Sequence, residues 1–394
     1  MIYKGRVFDG LEYHEMSELS FNPETGKIDY LEDLKKSPPK KQNKDTKFAD
    51  LTFLPGLIDT HIHFFGTESS SLIDWVLTSD VMLTIRSVND AQKLLQSGFT
   101  TVRALGDKVS LDMSKAEKAG ILIGPRIISA GFSLAETGGN DDPKFLSVEN
   151  SRAFSYSYYC DGPWECRRAV RTNLRNGAEV IKVYSSRSFV GGGRIKDEFT
   201  VEELSAIADE AHRAFVKAAS HAYGASAIKN SIDSGFDSIE HGLGLTEELA
   251  ETMKKKNIFY VPTLSTYKKV RETVNTYRDQ MIKNHIEREV KIAFDSKVKI
   301  AAGTDCIGSS KDPHGENYHE IVYLSKVIGN KEALIAATSR AAECLGLDNV
   351  GQIKKDYLAD IIAVKGNPLN NTEALNPENI VLVIKRGRVF KNLI

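Results

Sequence analysis

The chain has 394 residues, with 52 Lys and Arg against 53 Asp and Glu and a formal charge of -1. Such a balance supplies no global field to draw it to nucleic acid or to an acidic membrane, and the length suits one large barrel with an appendage. No basic, apolar leader opens the text and no apolar run is long enough to span a bilayer, so a soluble, cytoplasmic protein with small-molecule partners is expected.

From Met1 to about Phe53 the chain reads as short β-like pieces, such as Ile2 to Phe8, broken by Asn22-Pro23, Ser37-Pro38-Pro39 and a lysine-rich run around Lys40 to Lys47. The other end is composed alike. Asp360 to Val364 and Ile380 to Ile384 are apolar β runs, and Arg386-Gly387-Arg388-Val389-Phe390 echoes Lys4-Gly5-Arg6-Val7-Phe8. The two ends are therefore expected to share a sheet.

Between them, apolar runs alternate with helical patterns, the signature of β/α units. The strand candidates are Leu57 to His63, Thr100 to Leu105, Arg126 to Ala130, Val180 to Ser185, Ala218 to Tyr223, Ser238 to His241, Phe259 to Thr263 and Lys299 to Thr304. Thr200 with Glu203 forms a capping box, and Leu204, Ile207, Ala211 and Phe215 follow at helical spacing. Gly235 closes the next helix, and Lys254, Lys255 and Lys256 suit the negative end of the one after. Eight units predict an α/β fold, a (β/α)8 TIM barrel over residues 55–348, with a small β-sandwich built from 1–54 and 349–394.

Reactive groups of such a barrel sit at the C-terminal ends of its strands. Strand one ends in His61 and His63, which share a face because side chains alternate along a strand. Lys182 lies in the fourth, His221 and His241 end the fifth and sixth, and Asp305 follows the eighth. Four imidazoles, one carboxylate and one apolar-flanked lysine would converge. The four cysteines, Cys160, Cys166, Cys306 and Cys344, show no C-x-x-C spacing and indicate neither a disulfide framework nor a thiolate zinc site; whether Cys160 and Cys166 pair stays open.

These residues resemble the amidohydrolase superfamily, from the N-terminal Gly-Arg-Val-Phe-Asp-Gly to the closing Ala-Asp-Ile-Ile-Ala-Val-Lys-Gly-Asn-Pro-Leu. The likeness is to the branch with Xaa-Pro dipeptidases, arginine/lysine carboxypeptidases and imidazolonepropionase-like proteins. It implies that His61, His63 and Asp305 hold one metal, His221 and His241 a second, and Lys182, carboxylated by CO2, bridges the two. Carboxylation answers a chemical difficulty, since an ammonium has no lone pair and repels a cation. Nitrogen and oxygen ligands suit two Zn2+ ions, with Mn2+, Co2+ or Fe2+ as alternatives. The implied activity is that of a binuclear metallopeptidase or amidohydrolase cleaving a dipeptide or N-acyl amino acid through a metal-bridging hydroxide, with Asp305 moving the proton.

Substrate clues are mixed. Tyr223 of Ser220-His221-Ala222-Tyr223 resembles the branch tyrosine that binds the substrate carboxylate, and Arg187 and Arg103 offer bidentate forks for such a group. His314, in Asp312-Pro313-His314-Gly315, resembles a recurring loop that supports the metals or touches substrate. Two loops depart from the pattern: Thr137-Gly138-Gly139-Asn140-Asp141 lacks the histidine of Thr-Gly-Gly-His-Gly-Asp, and Tyr184-Ser185-Ser186-Arg187 replaces Met-Ala-Ser-Gly-Gly. His14, His212, His285 and His319 read as surface or helix-face residues, and residues 140–163, long and aromatic, read as a lid or an interface of a homo-oligomer. A cyclic amide or imide hydrolase of the imidazolonepropionase type is the alternative, but its single-metal site does not require Lys182. A non-catalytic binding barrel need not keep all six groups.

Overall fold

Alternating apolar residues at both ends of the chain come together in one sheet. The computed structural model describes residues 1–34, 50–188, 195–268 and 276–394; the Ser37-Pro38-Pro39 break and the lysine-rich run lie outside the described residues. Strands β1 (Ile2–Phe8), β2 (Tyr13–Asn22), β3 (Lys27–Asp33) and β4 (Leu51–Pro55) are followed by β5 (Leu57–Ile62), β6 (Phe99–Ala104), β7 (Arg126–Ser129), β8 (Ser133–Ala135) and β9 (Ser157–Tyr159). Then come β10 (Val180–Tyr184), β11 (Lys217–Ala222), β12 (Ser238–His241), β13 (Phe259–Val261), β14 (Ile361–Lys365), β15 (Ile380–Lys385) and β16 (Arg388–Asn392).

The terminal strands form a sheet in the order β16-β15-β14-β4-β1-β2-β3. It is joined across the termini where β14 pairs antiparallel with β4, Ala363 opposite Phe53. The seven strands are hydrogen-bonded continuously rather than split into two facing sheets. Register shifts between Gly5 and Val7, Ser20 and Phe21, and Val383 and Ile384 bend it, as bulges do, over a core of Val7, Leu19, Phe21, Phe53, Ile361 and Ile384.

The middle of the chain supplies two parallel sheets, β5-β6-β7 and β13-β12-β11-β10-β8-β9. Every residue of β5 and of β10 is buried, as expected where helices cover both faces. Lys299 to Thr304, expected as a strand, forms none, yet it ties the two sheets together. The Tyr260 amide donates to Lys299 O (2.9 Å) and the Thr60 amide to Ala302 O (2.9 Å), while the Ala302 amide is diverted to Ala336 O (2.8 Å), which breaks the regular ladder.

Helix signals read from the sequence appear where expected. Thr200 and Glu203 form the capping box of Val201–Arg213, Gly235 caps Ala225–Ser234 at φ 89°, and three lysines end Glu247–Lys256. Phe215 is a correction. The helix ends before it, its φ is 59°, and the ring is 98% exposed, whereas Leu204, Ile207 and Ala211 are buried. Within 140–163 the chain forms a helix, Val148–Phe154, capped by Ser147, and β9, which pairs parallel with β8. No helix among the described residues is long and apolar enough to cross a membrane.

Candidate metal centre and active site

Strand β5 presents Asp59, His61 and, just past its end, His63 on one side, and each has a separate task. Asp59 accepts from the Thr304 amide (3.0 Å) and hydroxyl (2.8 Å) and from Asn317 Nδ2 (2.8 Å), so it fastens the segment that carries Asp305. His61 Nδ1 lies 2.9 Å from Glu240 Oε2, and His63 Nδ1 lies 2.8 Å from Gly106 O. A carboxylate and a carbonyl only accept, so both rings carry their proton on Nδ1 and turn a lone pair outward at Nε2. Those two nitrogens approach the same oxygen, Asp305 Oδ1, at 3.3 Å and 3.1 Å.

Three lone-pair atoms facing one another repel unless a cation lies among them. The ligand atoms of His61, His63 and Asp305 all lie within 4.8 Å of one another, a spacing one metal ion can close. Burial, with Lys182 adding to it, holds the His61 imidazole well below its usual range, so protonation of the ring does not relieve the clash. Lys182 Nζ is 3.4 Å from His61 Nε2, and burial pushes its amine down to about 8. His221 and His241 stand beside them, ring centroids 4.6 Å apart, with His241 5.0 Å from His61. His221 Nε2 is buried without a hydrogen-bond partner among the described residues. The donor set fits divalent ions.

Backbone strain aims two of these groups. His241 (φ 66°) and Asp305 (φ 56°) adopt the left-handed region that side chains seldom occupy. Regular alternation would turn His241 away from the side on which Glu240 lies; the left-handed turn brings the imidazole back.

Comparison with known proteins gives the family of the chain. The model of the amidohydrolase family matches residues 52–390. The chain belongs to the amidohydrolase family. It is a hydrolase acting on carbon–nitrogen bonds. It is 30% identical to ochratoxinase of Aspergillus niger over 387 residues, covering 90% of this chain and 79% of that one. The crystal structure of the A. niger ochratoxinase superposes with a TM-score of 0.89 at 26% identity, covering 99% and 95% of the two chains. A Xaa-Pro dipeptidase with methionine bound in its active site gives 0.82 at 30% identity over 99% of each. A prolidase complexed with N-methylphosphonate-L-proline gives 0.85 at 26% identity over the whole of both chains.

Not every residue singled out in the sequence faces this amidohydrolase centre. Arg103 is a correction: it is 2% exposed, and its guanidinium donates to Thr60 O, Ser238 Oγ (3.2 Å) and Glu240 Oε1 (2.7 Å), so it braces the His61 support rather than meeting a substrate carboxylate. Arg187 donates to Gly138 O and lies 3.5 Å from Glu198, holding the loop before Asn140. His314 is buried and donates from Nε2 to His63 O at 2.9 Å, which fixes the backbone of that candidate ligand and leaves no approach for substrate. Tyr223 stacks on His221 at 4.5 Å, its hydroxyl 2.8 Å from that of Tyr267. His285 is wholly buried, bonded to Pro262 O (2.8 Å) and Glu289 (3.1 Å), not on a surface. Cys160 and Cys166 are free thiols with sulfurs 2.7 Å apart.

Glu240, Asp59 and Asp141 were not singled out in the sequence. Alternation from His61 could have found Asp59; nothing local marks the other two.

Proposed function

We propose that this chain is a binuclear metal-dependent amidohydrolase that cleaves the amide of a dipeptide or an N-acyl amino acid, with its parallel strands closed as an eight-unit barrel and the terminal segments 1–54 and 349–394 as its appended domain. The observation that carries the reading is the convergence of His61 Nε2 and His63 Nε2, both lone-pair atoms, on Asp305 Oδ1. His61, His63 and Asp305 would hold one ion and His221 and His241 a second, with Lys182 between them as its carbamate. When bound, two divalent ions, Zn2+ by the nitrogen and oxygen character of the set, lower the pKa of water to about 7 and polarise the scissile carbonyl.

The protein's own groups do the rest. Asp305 turns Oδ1 to the imidazoles, while Oδ2 lies 3.5 Å from Thr266 Oγ1. That second oxygen takes the proton of the attacking water and delivers it to the leaving nitrogen, so the amine departs neutral. Lys182 is 1% exposed with Val180, Ile181 and Val183 buried around it, an environment that disfavours an ammonium and favours the neutral amine whose lone pair attacks CO2. Tyr223, packed on His221, would donate its hydroxyl proton to a substrate carboxylate.

Metal analysis combined with a screen of dipeptides and N-acyl amino acids tests this. About two equivalents of metal with hydrolysis is expected. One equivalent with cyclic-imide hydrolysis points to the imidazolonepropionase type, and no metal with no turnover removes the proposal.

A further inference from the structure

The two loops that depart from the family pattern meet in space. Asp141, which ends the altered Thr137-Gly138-Gly139-Asn140-Asp141 stretch, accepts hydrogen bonds from the hydroxyls of Tyr184 and Tyr156. Tyr184 stands two residues beyond Lys182 on the same strand, its ring 5.4 Å below Lys182 Nζ and 5.2 Å from the His221 ring. Tyr156 reaches the other flank of the centre: it packs 5.1 Å from Phe65, which packs 4.8 Å from His63. An arc of aromatic rings thus runs from His63 to His221, and the carboxylate of Asp141 closes it between Tyr156 and Tyr184.

Both tyrosines are 5% exposed, while Asp141 keeps some access to solvent. Asn140 Nδ2 (3.2 Å) and Ser157 Oγ (3.4 Å) also approach the carboxylate, but neither brings a charge. Among the described residues no cation lies within ion-pair distance of Asp141; His63 and Lys182 act on it only at longer range. Arg187, the nearest basic residue on β10's exit, is turned to Gly138, Glu136 and Glu198 instead. With their protons turned to Asp141, the phenolic oxygens offer lone pairs, although that of Tyr184 also accepts from Ser133 and the Tyr156 hydroxyl lies against it. The cluster is a set of acceptors around one negative charge, and a primary ammonium carries three donors around one positive charge.

We propose that Asp141, Tyr156 and Tyr184 form an ammonium subsite that receives the protonated amino group of an unblocked aminoacyl substrate, so that dipeptides are selected over N-acyl amino acids. This rests on the hydrolase reading above and narrows its substrate class. Tyr223 stacks on His221 with its hydroxyl against that of Tyr267, whereas Asp141 lies against Tyr156 and Tyr184, so the two ends of a dipeptide meet different groups.

The test compares alanyl and propionyl derivatives of the same amino acids, which share the scissile bond and differ only by the ammonium. For the metal-loaded enzyme at pH 7, kcat/KM for the alanyl member is expected to exceed that for the propionyl member by about tenfold, carried in KM, as one charge-assisted contact gives. Raising the pH past the α-amino pKa of about 8 should erase the preference without any substitution. Asp141→Asn should bring the ratio close to one whatever the absolute rates; Asn suits the left-handed backbone at φ 65°, so the loop keeps its shape. Tyr184→Phe should lower the ratio in part. Equal use of both substrates, a preference that survives Asp141→Asn, or one that ignores pH overturns the subsite and leaves the hydrolase reading intact. Failure to cleave either member overturns both.

Discussion

Glu240 Oε2 lies 2.9 Å from His61 Nδ1 while Oε1 of the same carboxylate lies 2.7 Å from Arg103 Nη2. One buried side chain therefore sets the tautomer of a candidate metal ligand and neutralises a buried guanidinium. Glu240→Gln keeps the volume but removes the charge. Chelator competition should show metal affinity reduced about 10–100-fold, the effect typical of groups that orient a ligand. Leaving Arg103 unpaired should lower unfolding stability by about 3–5 kcal/mol in urea melts. An unchanged affinity would mean that His61 does not depend on Glu240 for its orientation.

Asp305 is assigned both a ligand oxygen and the proton-carrying one. Asp305→Asn keeps the shape and one oxygen, so the fold and much of the metal should remain. Turnover should fall by about 10²–10⁴, the range for loss of a general acid–base. Steady-state kinetics beside metal analysis of the same preparation checks this; full activity in the variant refutes the role.

How far the sequence alone reaches is visible in these residues. His61 and His63 were legible because a strand puts i and i+2 on one face, Lys182 because apolar residues flank it within a strand, and His221, His241 and Asp305 because each stands at the end of an apolar run. The shared terminal sheet was legible from two β segments of similar sequence. Glu240 and Arg103 were not, since their pairing joins residues 137 apart and needs β12 to lie against the inner end of β6. Asp141 hid in a loop whose short helix and strand depend on the Ser147 cap and on pairing with β8, contacts that no local periodicity announces. Lys299 to Thr304 has the composition of a strand, but Ala336 captures one of its amide protons.

Glu320 gives a pH prediction away from the metal ligands. It is 1% exposed and accepts from the amides of Leu264 (3.0 Å) and Ser265 (2.7 Å) and from the Ser265 hydroxyl, yet burial outweighs those bonds and pushes its carboxyl up to about 7. A raised acid binds its proton more tightly in the folded state, so its contribution is complete below the unfolded value near 4.5 and is lost as pH rises through about 7. The shift corresponds to about 3 kcal/mol. Urea melts of wild type and Glu320→Gln between pH 4.5 and 8 should therefore diverge, with the wild type losing relative stability as pH rises. Parallel curves would show that Glu320 titrates normally.

Gly303 tests whether the centre depends on close packing behind its ligands. A Cβ there would lie 2.6 Å from Val261 Cγ1, 2.8 Å from His61 Cβ and 3.0 Å from His61 N, and its backbone lies outside the left-handed region, so only space forbids a side chain. Gly303→Ala must push His61 out of line with His63 and Asp305. Overpacking of this kind costs about 1–3 kcal/mol, and here it acts directly on a ligand. Metal affinity should fall along with the melting temperature. Gly235→Ala is the matched contrast: at φ 89° it has nothing within 4 Å of the added carbon, and it caps the helix Ala225–Ser234 without touching His61. Its left-handed backbone should cost about 1–2 kcal/mol of stability while metal affinity stays as in the wild type. If both variants lose stability and neither loses metal, the position of His61 is not set by the Gly303 contact, and the convergence on Asp305 must be held from the Glu240 side alone.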